Sequence, residues 1–379
     1  MVQGRTITGS LCVILLTTIL IVWLGLTGIA RGDELEGGTE YARRQVVWLA
    51  FGAVTTALAW MVPYRRLMGW GFPFYLLTVV LLVAVFFFPA RFGARRWILI
   101  GPVSIQPSEL AKLAYILALS EYLMFRRNHR TLPGLIIPFA MTVLPVLLIL
   151  KEPDLGTALL FFPVLFGTLY VAGARRAHLA ATLLAGLAFT PVLWTQMSAE
   201  QKSRVTAVFT QRDGVAPDML DGYHLHQSKQ MLALGGIRGS FFDGEAVDDL
   251  RAYRLPAGRT DFVFCLVGER LGLAGTLGTL VLFSLFVLAG ANLAASTRDP
   301  YGRLVCTGIV IILSAQAMIN TAMTVGLAPV TGLTLPLMSY GGSSLVTTGI
   351  SLGILLNIAQ SPNFDVAGQP FQFSSQLDS

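Results

Sequence analysis

Residues 259–264 read Arg-Thr-Asp-Phe-Val-Phe, and Glu269-Arg270-Leu271-Gly272 follow shortly after. A polar stretch from Ser198 runs into this motif, and a long apolar run leaves it. Asp261 therefore stands at a seam between water and lipid. An ionisable carboxylate is costly there, which points to function. A solvated helix N-terminus, where a carboxylate favours the helix dipole, accounts equally well for Asp261 taken alone.

The composition fits that seam. The chain has 379 residues, 54% hydrophobic and 13% charged, where a soluble domain carries about 25% charged residues. Mean hydropathy is +0.67. These values define an all-α integral membrane protein. The net charge of +6 does not indicate nucleic acid, because the basic residues sit in short loops between apolar runs, where they set orientation. Cys12, Cys265 and Cys306 lie singly in apolar runs and read as packing residues, not as a disulfide or metal framework.

Ten apolar runs are near the roughly 20 residues a helix needs to cross the hydrocarbon. The first seven are about Ile7–Ala30, Val46–Val62, Phe72–Phe88, the run from Ser108 to Leu123, Leu135–Leu150, Gly156–Ala172 and Ala177–Met197. The fifth contains Pro138 and Pro145 and is expected to be broken there. After the polar stretch 198–259, the eighth run reaches about Ala294, and the last two are Leu304–Gly326 and Ser344–Ile358. Residues 1–362 are thus expected to form one membrane domain that includes the large loop 198–259. The polar tail 363–379 is expected to be disordered. Turns after even-numbered runs carry Arg65, Arg66, Arg126, Arg127, Arg130, Arg175, Arg176, Arg298 and Arg303 against Asp299 alone. The bias of Lys and Arg to cytoplasmic loops puts both termini in the cytoplasm and the 198–259 loop outside.

Four further constellations carry polar groups at membrane depth. Arg95-Arg96-Trp97 precedes Gln106-Pro107-Ser108-Glu109-Leu110-Ala111-Lys112. Glu109 and Lys112 are three apart, so they share a helix face, either as a structural ion pair or as part of a site. Trp97 also fits an interface anchor. Asp154, in Lys151-Glu152-Pro153-Asp154-Leu155-Gly156-Thr157, is placed to cap a helix, and capping alone would explain it. In the long loop, His224 and His226 lack a third ligand nearby and make a poor metal site. Lys229 and Arg238 would suit a phosphate or simply face water. Finally, Gly326 to Ser344 is dense in Pro, Gly and small polar residues, including Ser343 and Ser344. Irregular backbone at membrane depth must be buried in protein or line a cavity.

Taken in order, RWI, QPSELAK, EPDLGTALL, GYHLHQSK, GGIRGS, RTDFVF with GERLG, and GLAPVTGLTLPLMSYGGSS resemble the SEDS family of bacterial cell-wall polymerases. The match runs from Arg95 to Ser344. Around Gln227-Ser228-Lys229 it is more similar to the elongation (RodA-type) branch than to the division (FtsW-type) branch. The resemblance implies a multi-pass protein of the bacterial cytoplasmic membrane. Such a protein is a glycosyltransferase that polymerises lipid II at the outer face, during elongation and shape maintenance, and releases undecaprenyl pyrophosphate. It makes Asp261 the catalytic residue and Glu109 with Lys112 a supporting pair. Arg95, Arg96, Trp97, Asp154, Lys229, Arg238, Ser343 and Ser344 become candidate substrate or phosphate contacts. It also implies lipid II, membrane lipids and a class B penicillin-binding protein as partners, the last through spans eight and nine. In one departure, Pro256 is followed by Ala257, Gly258 and Arg259 where the family often has Glu-Arg-His, so no flanking His can share the proton work.

Such a reaction needs a base for the attacking hydroxyl and positive charge for the leaving pyrophosphate. No cofactor is fixed by the sequence, and a divalent cation (Mg or Mn) is one source of that charge. Two other readings stay open: a lipid II flippase, with Glu109 and Lys112 lining its pathway, and a non-catalytic scaffold for the transpeptidase. Neither shows a signal of its own, since no internal repeat of the transporter kind is visible.

Overall fold

In lipid, each backbone N–H and C=O must find a partner within the protein, so apolar runs of this length fold as helices. A computed structural model of the chain describes residues 2–90, 94–101, 103–125, 130–211, 220–247 and 253–360. The tail 363–379 and the basic residues Arg126 and Arg127 lie outside the described residues. The first six helices are α1 (Val2–Leu35), α2 (Glu40–Met61), α3 (Gly71–Ala84), α4 (Pro107–Phe125), α5 (Ile136–Lys151) and α6 (Leu155–Val171). The seventh apolar run divides into α7 (Arg176–Ala188) and α8 (Thr190–Gln196). The large loop is not irregular, as its polarity suggested. It folds into α9 (Ala199–Phe209), α10 (Leu220–Gly235) and the short α11 (Ser240–Asp243). The chain then runs through α12 (Val263–Ser296), α13 (Pro300–Thr324) and α14 (Gly342–Gln360).

By length and composition, Thr8–Leu35, Pro133–Lys151, Val263–Ser296, Pro300–Thr324 and Gly342–Gln360 can cross a membrane, and Gly71–Phe87 and Leu155–Val171 are shorter apolar helices. The protein is therefore a multi-pass membrane protein. Helix α13 is the axis of the bundle: 72% of its apolar window is buried, against 28% for α12. It packs on α4, α6 and α12, while α1 lies along α12 and α2 along α14.

The fifth run is not broken by its prolines. Pro138 sits in the first turn of α5, where a missing N–H costs little. Pro145 lies inside the helix and strips the carbonyl of Met141 of its usual donor. The hydroxyl of Tyr75, on α3, donates to that carbonyl at 2.8 Å. A second feature absent from the sequence reading is a hairpin between α3 and α4, in which β1 (Ile98–Ile100) pairs antiparallel with β2 (Val103–Ile105).

Two glycine-rich motifs meet on α12. Gly272 adopts φ 62°, ψ −150° and kinks the helix. The N–H of Leu273 donates to the carbonyls of Gly236 and Ile237, both at 3.1 Å. A Cβ on Gly239 or on Gly272 would strike the other's backbone, so this approach needs glycine on both sides. GGIRGS and GERLG thus fasten the α10–α11 turn to the start of α12, just beyond Asp261.

Candidate active site

Asp261 lies one residue before the N-cap of α12. Its N–H donates to the carbonyl of Ala257 at 3.0 Å, and its own carbonyl accepts from the Asn320 side chain at 2.8 Å. The Asn320 amide also donates to the carbonyl of Leu333 at 2.6 Å. One residue on α13 therefore locks the Asp261 turn against the irregular 326–341 segment. Within that segment Gly332 (φ 72°) faces the Asp261 carboxylate, where a side chain would lie only 3.6 Å from Oδ2. Two residues earlier, the chain is tied down from the other side. The Arg259 guanidinium reaches Asp33 at 2.8 Å and Glu36 at 2.7 Å, donates to the Gly32 carbonyl at 2.7 Å and covers the Tyr41 ring at 4.5 Å. The Arg259 carbonyl accepts from the N–H of Tyr340 at 2.9 Å.

Asp261 is half-buried, and loss of water there pushes its pKa up to about 6. The Asp154 carboxylate pushes it the same way. A hydrogen bond from the Thr260 side chain opposes the shift, as do the Arg96 and Arg204 charges. The fields of three charges from three parts of the chain thus reach the carboxylate. Asp154 caps α6 as its sequence suggested: Oδ1 accepts from the Thr157 N–H at 3.0 Å and Oδ2 from the Thr157 hydroxyl at 2.9 Å. Gln106 comes within 3.5 Å of the same Oδ2. Arg96 spans the α5–α6 turn, donating through Nε to the Glu152 carbonyl at 2.8 Å and through Nη2 to the Pro153 carbonyl.

Glu109 and Lys112 form a buried ion pair at 2.8 Å. Lys112 also donates to Gln316 at 3.1 Å, whose amide reaches the Thr334 carbonyl at 2.8 Å. The Thr334 hydroxyl is 3.3 Å from that of Ser344. Among the described residues no contact joins Lys112 to Asp261. The pair instead braces the 326–341 segment, on which Asp261 rests.

The remaining candidates separate. Arg95 is exposed and donates to the Phe86 carbonyl at 2.7 Å. Arg238, with its side chain 75% exposed, lies 3.8 Å from Asp243. Neither Arg95, Arg238 nor Lys229 is among the charges that shift Asp261. Lys229 is half-buried on α10 and Trp97 half-buried before β1. The Ser343 hydroxyl donates to the Ser104 carbonyl at 2.9 Å, which ties α14 to the hairpin. The sequence reading missed Arg204 altogether. It sits on α9 in what was read as a loop, and only a folded α9 brings it to Asp261. Its signal was the capping box of that helix, in which the Ser198 hydroxyl accepts from the Gln201 N–H at 3.2 Å and the Gln201 side chain accepts from the Ser198 N–H at 3.0 Å.

No group of three or more His, Cys, Asp or Glu among the described residues could hold a metal ion. The described residues thus offer no ready-made cluster of carboxylate, imidazole or thiolate ligands for a divalent cation.

A helical membrane bundle with a half-buried carboxylate at the entrance of α12 matches known proteins along nearly its whole length. The model of the FtsW/RodA/SpoVE family of cell cycle proteins covers residues 7–363. The chain belongs to this family, which bears out the SEDS resemblance. It is 32% identical over 350 residues to the peptidoglycan glycosyltransferase MrdB of Escherichia coli, covering 92% of this chain and 91% of that protein. It is 35% identical over 371 residues to the probable peptidoglycan glycosyltransferase FtsW of Alkalilimnicola ehrlichii, covering 90% and 87%. Among solved structures, a chain described in a study of how a peptidoglycan synthase complex coordinates polymerization and crosslinking superposes with TM-score 0.79 at 31% identity, covering 93% of this chain and 98% of that one. The rod shape determining protein RodA of Thermus thermophilus superposes with TM-score 0.68 at 28% identity, covering 93% and 97%.

Proposed function

We propose that the protein is a peptidoglycan glycosyltransferase that polymerises lipid II at the outer face of the bacterial cytoplasmic membrane, with Asp261 as the base. The observation that carries this reading is a half-buried Asp261 fixed at the entrance of α12 by Asn320 and faced by Gly332, within the field of Arg96 and Arg204. In the reaction, a sugar hydroxyl oxygen attacks the anomeric carbon of the donor. The new C–O bond forms as the bond to pyrophosphate breaks, its electron pair leaves on the pyrophosphate, and the hydroxyl proton passes to Asp261. A positioned base contributes about 10²–10⁴-fold. Pyrophosphate is a stable anion and needs no acid, only positive charge, which Arg96 and Arg204 supply. Among the described residues Nη1 of Arg96 has no hydrogen-bond acceptor, which leaves a donor for a phosphate oxygen.

Asn320, Gly332 and Arg259 hold the base in place. Glu109 and Lys112 neutralise each other and brace the segment beneath, which suits a rigid site better than a transport pathway. Both termini are cytoplasmic in this reading, and ten helices cross the membrane. The elongation branch is favoured by the GYHLHQSK motif, and a class B penicillin-binding protein is the partner, docking at spans eight and nine. Purified protein with that partner and labelled lipid II tests the reading. Wild type should form glycan polymer, and Asp261→Asn, correctly folded, should form none. Polymer from the Asn variant would remove Asp261 from the base role.

A further inference from the structure

The turn that carries Asp154 holds a second carboxylate that the reaction above does not use. Glu152 closes α5, and its N–H donates back to the carbonyls of Leu148 at 3.3 Å and Ile149 at 3.0 Å. Its side chain points inward, and the residue is 0% exposed. Among the described residues, neither carboxylate oxygen meets a hydrogen-bond donor. A buried carboxylate without a partner carries a heavy desolvation penalty as an anion, whereas a neutral carboxylic acid does not. The charged groups facing it are Asp154, two residues on, and Arg96, which lies across the turn. Arg96 does not pair with the Glu152 carboxylate. It spends Nε and Nη2 on the carbonyls of Glu152 and Pro153 instead. Such a choice is natural only if the adjacent carboxyl is uncharged, because an anion would outcompete neutral carbonyls for a guanidinium.

We propose that Glu152 is a positioning residue that acts as an uncharged acid: while neutral it leaves Arg96 clamped on the α5–α6 turn and facing Asp261, and on ionising it draws that cation out of the site. The inference rests on the role given to Arg96 and Asp261 above. Burial, reinforced by the Asp154 carboxylate and only partly offset by Arg96, pushes the Glu152 pKa up to about 8. Glu152 is thus protonated at neutral pH, and its charge appears just above.

The test is the pH profile of polymerisation by the full chain with its transpeptidase partner and labelled lipid II. Wild type should lose activity above about pH 8, approaching tenfold per pH unit. Glu152→Gln, which keeps the shape and cannot ionise, should stay within about twofold of wild type at neutral pH and should not show the alkaline fall. A structural role for Glu152 would lower the whole profile without changing its limbs. An unchanged alkaline limb in Glu152→Gln overturns the inference, and so does a tenfold loss at neutral pH in a variant that remains folded. If Glu152→Gln does not fold, difference infrared spectroscopy of wild type, titrated across pH 8, reads the carboxyl directly. A protonated-carboxyl band that disappears with rising pH in step with activity supports the inference, and a carboxylate at neutral pH overturns it. Arg96→Ala in parallel separates the two readings. Full activity in that variant would fail the Arg96 role and the inference built on it, whereas loss of activity together with an unchanged limb in Glu152→Gln would fail the Glu152 inference alone.

Discussion

A base must be ionised to accept a proton, and its basicity rises with its pKa. In the base role proposed for it, Asp261 would meet both demands, because burial holds its pKa at about 6, above that of a solvated Asp and below neutral pH. Activity should therefore climb as pH rises through about 6, since only the deprotonated form works, and hold level until the alkaline fall near pH 8. The Asp154 carboxylate contributes to that shift, so Asp154→Asn should move the acid limb to lower pH. Asn keeps an N-cap oxygen for Thr157, so the helix start should survive. A rate profile of the two proteins checks this, and an unmoved limb would mean that Asp154 does not act on Asp261. Asn320 acts one step further back. Asn320→Leu leaves the carbonyls of Asp261 and Leu333 without their donor, at a cost of about 1–3 kcal/mol. Because the loss is in aiming the base, kcat should fall more than KM.

At the scale of the element, much was written plainly in the chain and some was hidden for definite reasons. Asp154 as a cap and the Glu109–Lys112 face both follow from local spacing, whereas the close approach of GGIRGS to GERLG joins segments whose meeting only the fold reveals. Arg204 was hidden because its helix is polar on most sides, and polarity reads as loop until the Ser198–Gln201 capping box is weighed. The placement of Arg96 was hidden because its ligands are backbone carbonyls of Glu152 and Pro153, which no side-chain pattern announces. Pro145 misled for the opposite reason: the residue that rescues the helix, Tyr75, lies seventy positions earlier in sequence. Tyr75→Phe should therefore destabilise the α3–α5 contact by about 1–3 kcal/mol, because it strands the Met141 carbonyl in a waterless setting. Adding Pro145→Ala restores the helix's own donor to that carbonyl. The double variant should recover most of the loss in thermal unfolding in detergent, and equal losses in single and double variants would show that the Tyr75 hydroxyl does not serve this carbonyl.

At the scale of the molecule, the site depends on the first helix although no α1 residue reaches Asp261's carboxylate. Helix α1 lies along α12, and the C-terminal end of α1 is joined to the start of α12 by a buried pair: Arg31 donates through Nε and Nη2 to the two oxygens of Glu269, each at 2.8 Å. Two and five residues further on, Asp33 and Glu36 hold Arg259. The α1 end thus grips both flanks of the Asp261 segment, the residues just before it and the helix just after. Bidentate geometry and burial make Arg31 costly to remove singly, about 3–5 kcal/mol, because the buried Glu269 carboxylate is then stranded, whereas Arg31 without Glu269 keeps Glu34 and Glu245, each at 3.4 Å. Replacing both by apolar groups of similar volume removes that penalty. We therefore expect Arg31→Met alone to lower thermal stability sharply, and Arg31→Met with Glu269→Met to regain most of it. Polymerisation should separate from stability in this series. The double variant restores packing but not the bidentate hold that fixes the direction of α12 where it leaves Asp261, so its kcat should stay below wild type even when its unfolding temperature recovers. Full recovery of both would make the pair a matter of stability alone and would leave Arg259 as the sole tether of the catalytic turn to α1.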